Sequence, residues 1–259
     1  MDLAYPLCGF LIGSLVGFTG IGGGSVMTPL LILVFGMQPL TAVGTDLLYA
    51  AVTKATGAKV HAYRSNVEWR VVGYLAMGSV PGALATIYLM TRLPMHSPEL
   101  QHFVTVAIGV ALLLAAIGLL IGQSAEFETD LADTGAAETS RDRSRITVFL
   151  GFLLGVLVSL TSIGVGAIGI VVLRYLYPKL PAARLVGSDI AHAVPLALIA
   201  GSGHWLIGDV NWTLLGSLLI GSLPGIILAS CFAQRVPERV LRRTLGVVLL
   251  AVAAPMAAS

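Results

Sequence analysis

The chain has 259 residues, of which 56% are hydrophobic and only 11% charged, with 30 glycines and a mean hydropathy of +0.91. A soluble domain carries about 25% charged residues, so this chain lacks the ionic surface that water demands and reads as an all-α integral membrane protein. At about 20 apolar residues per crossing, no length remains for an enzymatic head, a nucleic-acid module or a stalk; the net charge of +2 matters only through its placement among the loops.

The first apolar stretch has no basic n-region before it and is expected to belong to the mature fold. It comes as two short pieces, about residues 3–18 and 26–35, parted by Gly20-Ile21-Gly22-Gly23-Gly24. Consecutive glycines penalise a helix, and each piece is shorter than a crossing, so the pair predicts a broken helix or a re-entrant hairpin. Three ordinary transmembrane helices are expected next, at about 41–63, 70–92 and 101–122. A polar interval, 126–145, then runs acidic to basic and reads as a solvated linker. The pattern restarts after it, with three further spans at about 184–205, 212–234 and 239–257. Cys8 and Cys231 lie in apolar runs, far from any metal-ligand spacing, and read as packing residues.

Residues 9–24 match residues 151–166. Gly44-Thr45-Asp46 meets Gly187-Ser188-Asp189, His61 meets His204, Asn66-Val67-Glu68-Trp69 meets Asp209-Val210-Asn211-Trp212, and Gly78-Ser79-Val80-Pro81-Gly82 meets Gly221-Ser222-Leu223-Pro224-Gly225. Shared helical composition would align Leu with Leu; it would not align turns, histidines and prolines in one register. The chain is an internal duplication: a first repeat over 1–122, a cytoplasmic linker over 123–145 and a second repeat over 146–259.

Loop charges choose the orientation of the copies. If the short pieces made one broken crossing, the copies would be parallel and the cations would divide eight to six. If the pieces return to their own side, the copies are inverted: thirteen loop cations, from Lys59 through the linker arginines to Arg243, share one side and Arg92 alone holds the other. Lys54, being intramembrane, is left out of both counts. The positive-inside rule favours two inverted repeats with both termini outside. Two full crossings by the short pieces give the same split.

The ordered set of Gly20-Ile21-Gly22-Gly23-Gly24, Pro29, Ala42-Val43-Gly44-Thr45, the run from His61 to Trp69 and Gly78-Ser79-Val80-Pro81-Gly82 resembles the TauE/SafE sulfite exporter family of membrane permeases over nearly the whole chain. The resemblance implies a multi-pass secondary transporter of the bacterial inner membrane. Its cargo would be a small sulfur-containing anion, sulfite or an organosulfonate such as sulfoacetate, exported by alternating access with protons as the candidate coupling ion. A passive anion channel is the alternative. No cofactor, metal or nucleic-acid partner is expected, only the anion and membrane lipid; whether the protein is a homo-oligomer is left open. In the second copy, Ser162-Ile163-Gly164-Val165-Gly166 lacks two of the glycines.

An anion inside a bilayer needs compensation, which exposed N–H groups at a helix break supply while glycine lets it approach. The substrate-binding candidates are therefore Thr19, Gly20, Gly22, Gly23, Gly24 and Ser25 at the first break, with Thr28 close by, and Thr161, Ser162 and Gly164 at the second. Thr45 and Ser188 stand beside the carboxylates, while His61 and Arg64 at a span end could draw the anion in. Asp46 and Asp189 are the only acidic residues in the predicted spans and occupy equivalent positions, so they either carry coupling protons or cap the helices they begin. His192 shares the helix face of Asp189, as a proton partner or as a helix-to-helix hydrogen bond; Tyr49 is its counterpart. Lys54 either offers the anion a cation or snorkels. Gly9, Gly13 and Gly17 read as helix-crossing residues, Trp69 and Trp212 as interfacial anchors. An enzyme is not expected: His61, His192 and His204 form no HExxH spacing, and no ATP-binding phosphate loop is present.

Overall fold

The computed structural model describes residues 4–19, 24–63, 65–94, 97–121, 140–164, 166–232 and 238–258. Among them run ten helices: α1 (Ala4–Thr19), α2 (Gly24–Leu33), α3 (Pro39–Tyr63), α4 (Trp69–Arg92), α5 (Pro98–Ile121), α6 (Ser140–Thr161), α7 (Ala167–Leu176), α8 (Ala182–Leu206), α9 (Trp212–Phe232) and α10 (Glu238–Ala258). No strand occurs among the described residues. Lipid offers backbone groups no partners, and a helix satisfies them within one segment.

Five helices contain a stretch long and apolar enough to cross a membrane: Trp69–Arg92, Pro98–Gly118, Arg143–Thr161, Ala183–Leu206 and Trp212–Ala229. The chain is thus a multi-pass membrane protein. α3 has 25 residues, but Asp46, Lys54 and Lys59 lower its apolarity. α6 corrects one expectation, since it is not a short piece. Its polar start, Ser140–Arg145, continues in one helix with the apolar run and brings it to 22 residues. The helix also claims the last residues assigned to the linker. α2 and α7 have ten residues each, about 15 Å of rise against roughly 30 Å of hydrocarbon.

The four most extensive helix pairings are α1 with α9, α4 with α6, α3 with α8 and α5 with α10, and each joins one repeat to the other. Exchanging each helix for its counterpart five places on turns this set of pairings into itself. Glycines permit two of the crossings. Gly9 and Gly13 of α1 rest on the backbone of Leu218 and Ser222, while Gly221 and Gly225 of α9 rest on that of Pro6 and Phe10 in return. At the α4–α6 crossing, Gly151 and Gly155 meet Leu75 and Ser79, and Gly78 and Gly82 meet Val148 and Phe152. A Cβ at any of these eight positions would overlap neighbouring backbone, so Gly9 and Gly13 are packing residues, as small-residue helix interfaces in membranes require.

α3 and α8 run antiparallel. The start of α8 meets the chain beyond the end of α3, where the Glu68 N–H donates to Ser188 Oγ at 2.8 Å. The start of α3 meets the chain beyond the end of α8, where the Asn211 N–H donates to Thr45 Oγ1 at 3.1 Å. Each hydroxyl therefore caps a helix of the opposite repeat. Each also donates to a carbonyl of its own helix, Ser188 to Arg184 at 2.7 Å and Thr45 to Thr41 at 2.7 Å. The Arg184 guanidinium lies 3.7 Å from the Glu68 carboxylate beside the first clip. In the second, Thr41 and Asn211 stand where those charges would be.

Candidate functional site

The buried polar residues gather along α3 and α8, close to the helix break between α6 and α7. Asp46 and Asp189 are 0% and 1% exposed. Each lies seven residues inside its helix, counting from Pro39 and Ala182, so neither caps a helix start; the prediction placed both starts too late. Their surroundings differ. Asp46 Oδ2 accepts the hydroxyls of Thr28, at 2.5 Å from α2, and Ser162, at 2.9 Å from beyond the end of α6. The Thr28 backbone N–H also faces this carboxylate, whereas Oδ1 has no hydrogen-bond partner among the described residues. Asp189 faces the backbone N–H of Gly166, the residue that caps α7, and neither of its oxygens closes a hydrogen bond among the described residues. Its Oδ1 occupies the space that a Cβ on Gly169 would take.

Lys54 is 9% exposed, too enclosed to snorkel. It lies within electrostatic reach of Asp189, of Asp46 and of His192. Its counterpart in the second repeat is Ala197. Two acids from opposite repeats therefore share one buried cation.

His192 does not pair with Asp189. Its Nε2 shares a 2.7 Å hydrogen bond with the Ser79 hydroxyl, joining α8 to α4. Tyr49, the counterpart of His192, is likewise near Ser222, the counterpart of Ser79, but the two hydroxyls do not close a hydrogen bond. His204 is fully buried, and its Nε2–H donates to the Ser159 carbonyl at 2.9 Å. His61 Nδ1 borders Gly187, just as the His204 side chain borders Gly44.

The break after α6 is built by the chain itself. Ser162 turns into the left-handed region at φ 59°, and Gly164 and Gly166 follow at φ 132° and 119°, where a side chain would strain the backbone. Thr161 Oγ1 donates to the Leu157 carbonyl at 2.7 Å and accepts the Ile163 N–H at 3.1 Å, so this hydroxyl serves the break. Thr45 and Ser188 are likewise engaged as helix caps. At the first break, α1 ends at Thr19 and α2 begins with Gly24 and Ser25, while Gly20, Gly22, Gly23 and Arg64 lie outside the described residues. Trp69 and Trp212 open α4 and α9 with exposed rings, and Trp212 meets Trp205 edge-on at 5.6 Å.

Of the predicted residues, the structure brings Thr28 and Ser162 onto Asp46 and sets Lys54 within electrostatic reach of both Asp46 and Asp189. Ser79 was missed, although its place in a repeated Gly-Ser-x-Pro-Gly motif was a usable signal. No group of three or more His, Cys, Asp or Glu side chains able to hold a metal ion occurs among the described residues.

A family model described as "Sulfite exporter TauE/SafE" matches residues 5–256. Two Bacillus subtilis (strain 168) proteins align over almost their full lengths. "Probable membrane transporter protein YjnA" is 33% identical over 96% of this chain and 97% of its own. "Probable membrane transporter protein YunE" is 38% identical over 93% of this chain and 92% of its own. A third, "Probable membrane transporter protein MJ0441" of Methanocaldococcus jannaschii, is 22% identical over 94% and 89%. No solved structure matches the chain.

Proposed function

Because the chain belongs to the TauE/SafE sulfite exporter family of membrane transporters, we propose that it is a secondary carrier that exports a small sulfur-containing anion, sulfite or an organosulfonate such as sulfoacetate, across the inner membrane. The observation that carries this reading is the buried set of Asp46, Lys54 and Asp189, drawn from both repeats to the antiparallel crossing of α3 and α8. Two acids and one base leave one charge out of balance. An anion arriving beside Lys54 adds a second, which is costly in a bilayer unless a proton enters on a carboxylate with it. Anion and proton are then taken up as one neutralised set, and a pH difference across the membrane changes how the anion distributes.

The two repeats are inverted in this reading. Thirteen-to-one placement of loop cations supports it, and so does the antiparallel run of the equivalent helices α3 and α8, since parallel copies would make equivalent helices parallel. Alternating access then exchanges the roles of the two repeats about the carboxylates. Backbone N–H groups at the two breaks, Gly20 to Gly24 in the first and that of Gly164 in the second, cradle the anion, and His61 and Arg64 attract it from the cytoplasm.

Purified protein in proteoliposomes, given sulfite, sulfoacetate, sulfate and chloride in turn, tests the reading. Sulfite or sulfoacetate is expected to show counterflow and to respond to an imposed pH difference, and Asp189→Asn is expected to keep counterflow while losing that response. Currents far above carrier turnover, with no counterflow, would instead make the protein a channel.

A further inference from the structure

The two equivalent carboxylates do not offer the same chemistry. Around Asp189 stand a backbone N–H, the ammonium of Lys54 and the backbone of Gly169. Asp46 also has a backbone N–H, that of Thr28, and Lys54 within electrostatic reach, but it gains two oxygens that Asp189 lacks: the hydroxyls of Thr28 and Ser162 both lie on Oδ2, at 2.5 and 2.9 Å, and Oδ1 is buried without a hydrogen-bond partner among the described residues. The positions equivalent to Ser162 and Thr28 are Gly20 and the Ile170-Val171 pair of α7, so the duplication gives Asp189 no matching hydroxyls.

Ser162 is also the first residue past α6, and it holds a left-handed backbone at φ 59° that a non-glycine residue adopts only when its surroundings impose it. The end of a helix interrupted inside a membrane presents its last carbonyls and the negative end of its dipole. A carboxylate placed there is disfavoured unless a cation joins it. Hydroxyl hydrogens pointing at the carboxylate leave the hydroxyl lone pairs available. A carboxylate and two hydroxyls converging at a broken helix end form an all-oxygen set of the kind that hard cations take in transporters.

We propose that Asp46, Thr28 and Ser162 form a sodium site, so that the two carboxylates carry different ions, sodium at Asp46 and a proton at Asp189. Ser162 belongs to the second repeat and Asp46 and Thr28 to the first, so a bound sodium ion clamps the repeats together. The inference rests on the reading of Asp46 as a coupling group and is independent of which anion moves.

The test uses the full-length protein in detergent without any anion substrate, its melting temperature followed as sodium chloride replaces choline chloride at constant ionic strength and pH. Sodium is expected to raise the melting temperature saturably, with potassium much weaker. Thr28→Val and Ser162→Ala are each expected to raise the half-saturating sodium concentration by about tenfold or more, the worth of one ligand to a charged group. Thr28→Ser keeps the hydroxyl and should respond like the wild type, which guards against reading misfolding as lost binding. Melting that is indifferent to sodium, or a sodium response that Thr28→Val and Ser162→Ala leave unchanged, overturns the site. Sodium-responsive melting in a protein without counterflow would instead sink the transport reading and leave the site standing.

Discussion

At the scale of single residues, the site is made of polar groups that the duplication places twice and that chemistry then distinguishes. Ser79 and His192 are the clearest testable pair. Both are buried, on α4 and α8, and the shared 2.7 Å hydrogen bond is the only partner either ring nitrogen of His192 has among the described residues. Ser79→Ala should lower stability by about 1 kcal/mol, and a double-mutant cycle with His192→Ala should return a coupling of about 0.6–1.7 kcal/mol, the range for such bonds in membranes. Thermal melts of the four proteins measure it, and a coupling of zero would mean that the bond does not hold the ring. The sequence made the two acids legible because charge inside a span is rare. It could not show that Lys54 serves both, since that depends on α8 lying against α3. Nor could it separate a cap from an interior carboxylate, because Thr-Asp and Ser-Asp look the same in either place.

At the scale of helices, two kinds of glycine stand in one element. Gly78 of α4 lies on the Val148 backbone of α6, whereas a Cβ at Gly73 meets nothing within 4 Å. Gly78→Ala is expected to lower the melting temperature through overpacking worth about 1–3 kcal/mol. Gly73→Ala should be neutral or raise it, by up to about 1 kcal/mol, through improved helix propensity. A Gly78→Ala protein as stable as the wild type would refute close helix approach at that crossing. Helix positions were readable from charge-free runs, and six of the long helices fall where those runs predict. The length of α6 was not readable, because its first turn and a half, Ser140–Arg145, is as polar as a linker. Helicity there follows from continuity with the apolar helix and leaves no mark in local composition.

At the scale of the whole molecule, the proposed inverted arrangement makes a definite statement about which loops face outward. In a protein whose Cys8 and Cys231 have been replaced, Ser97→Cys, between α4 and α5, should react with a membrane-impermeant maleimide in intact cells. Lys179→Cys, between α7 and α8, should react only after permeabilisation. Equal labelling of both from outside would refute the arrangement, whichever anion is carried. The duplication was legible from the repeat register, which aligns turns, histidines and prolines. Which helix touches which was not, because every major interface pairs residues from opposite halves of the chain.

That cross-pairing sets a timetable for the ribosome. α1 finds its principal neighbour in α9, α4 in α6, α3 in α8 and α5 in α10. When α5 has been made, the first half has its helices but almost none of its final interfaces, and the carboxylate of Asp46 has not yet met Ser162. Helices α1 to α5 therefore wait in the bilayer as an unfinished half, with their glycine faces uncovered, until the later helices are synthesised and inserted between them. Assembly of this protein is late and long-range, and its nascent first half is the stage at which the membrane's quality-control machinery has most to recognise.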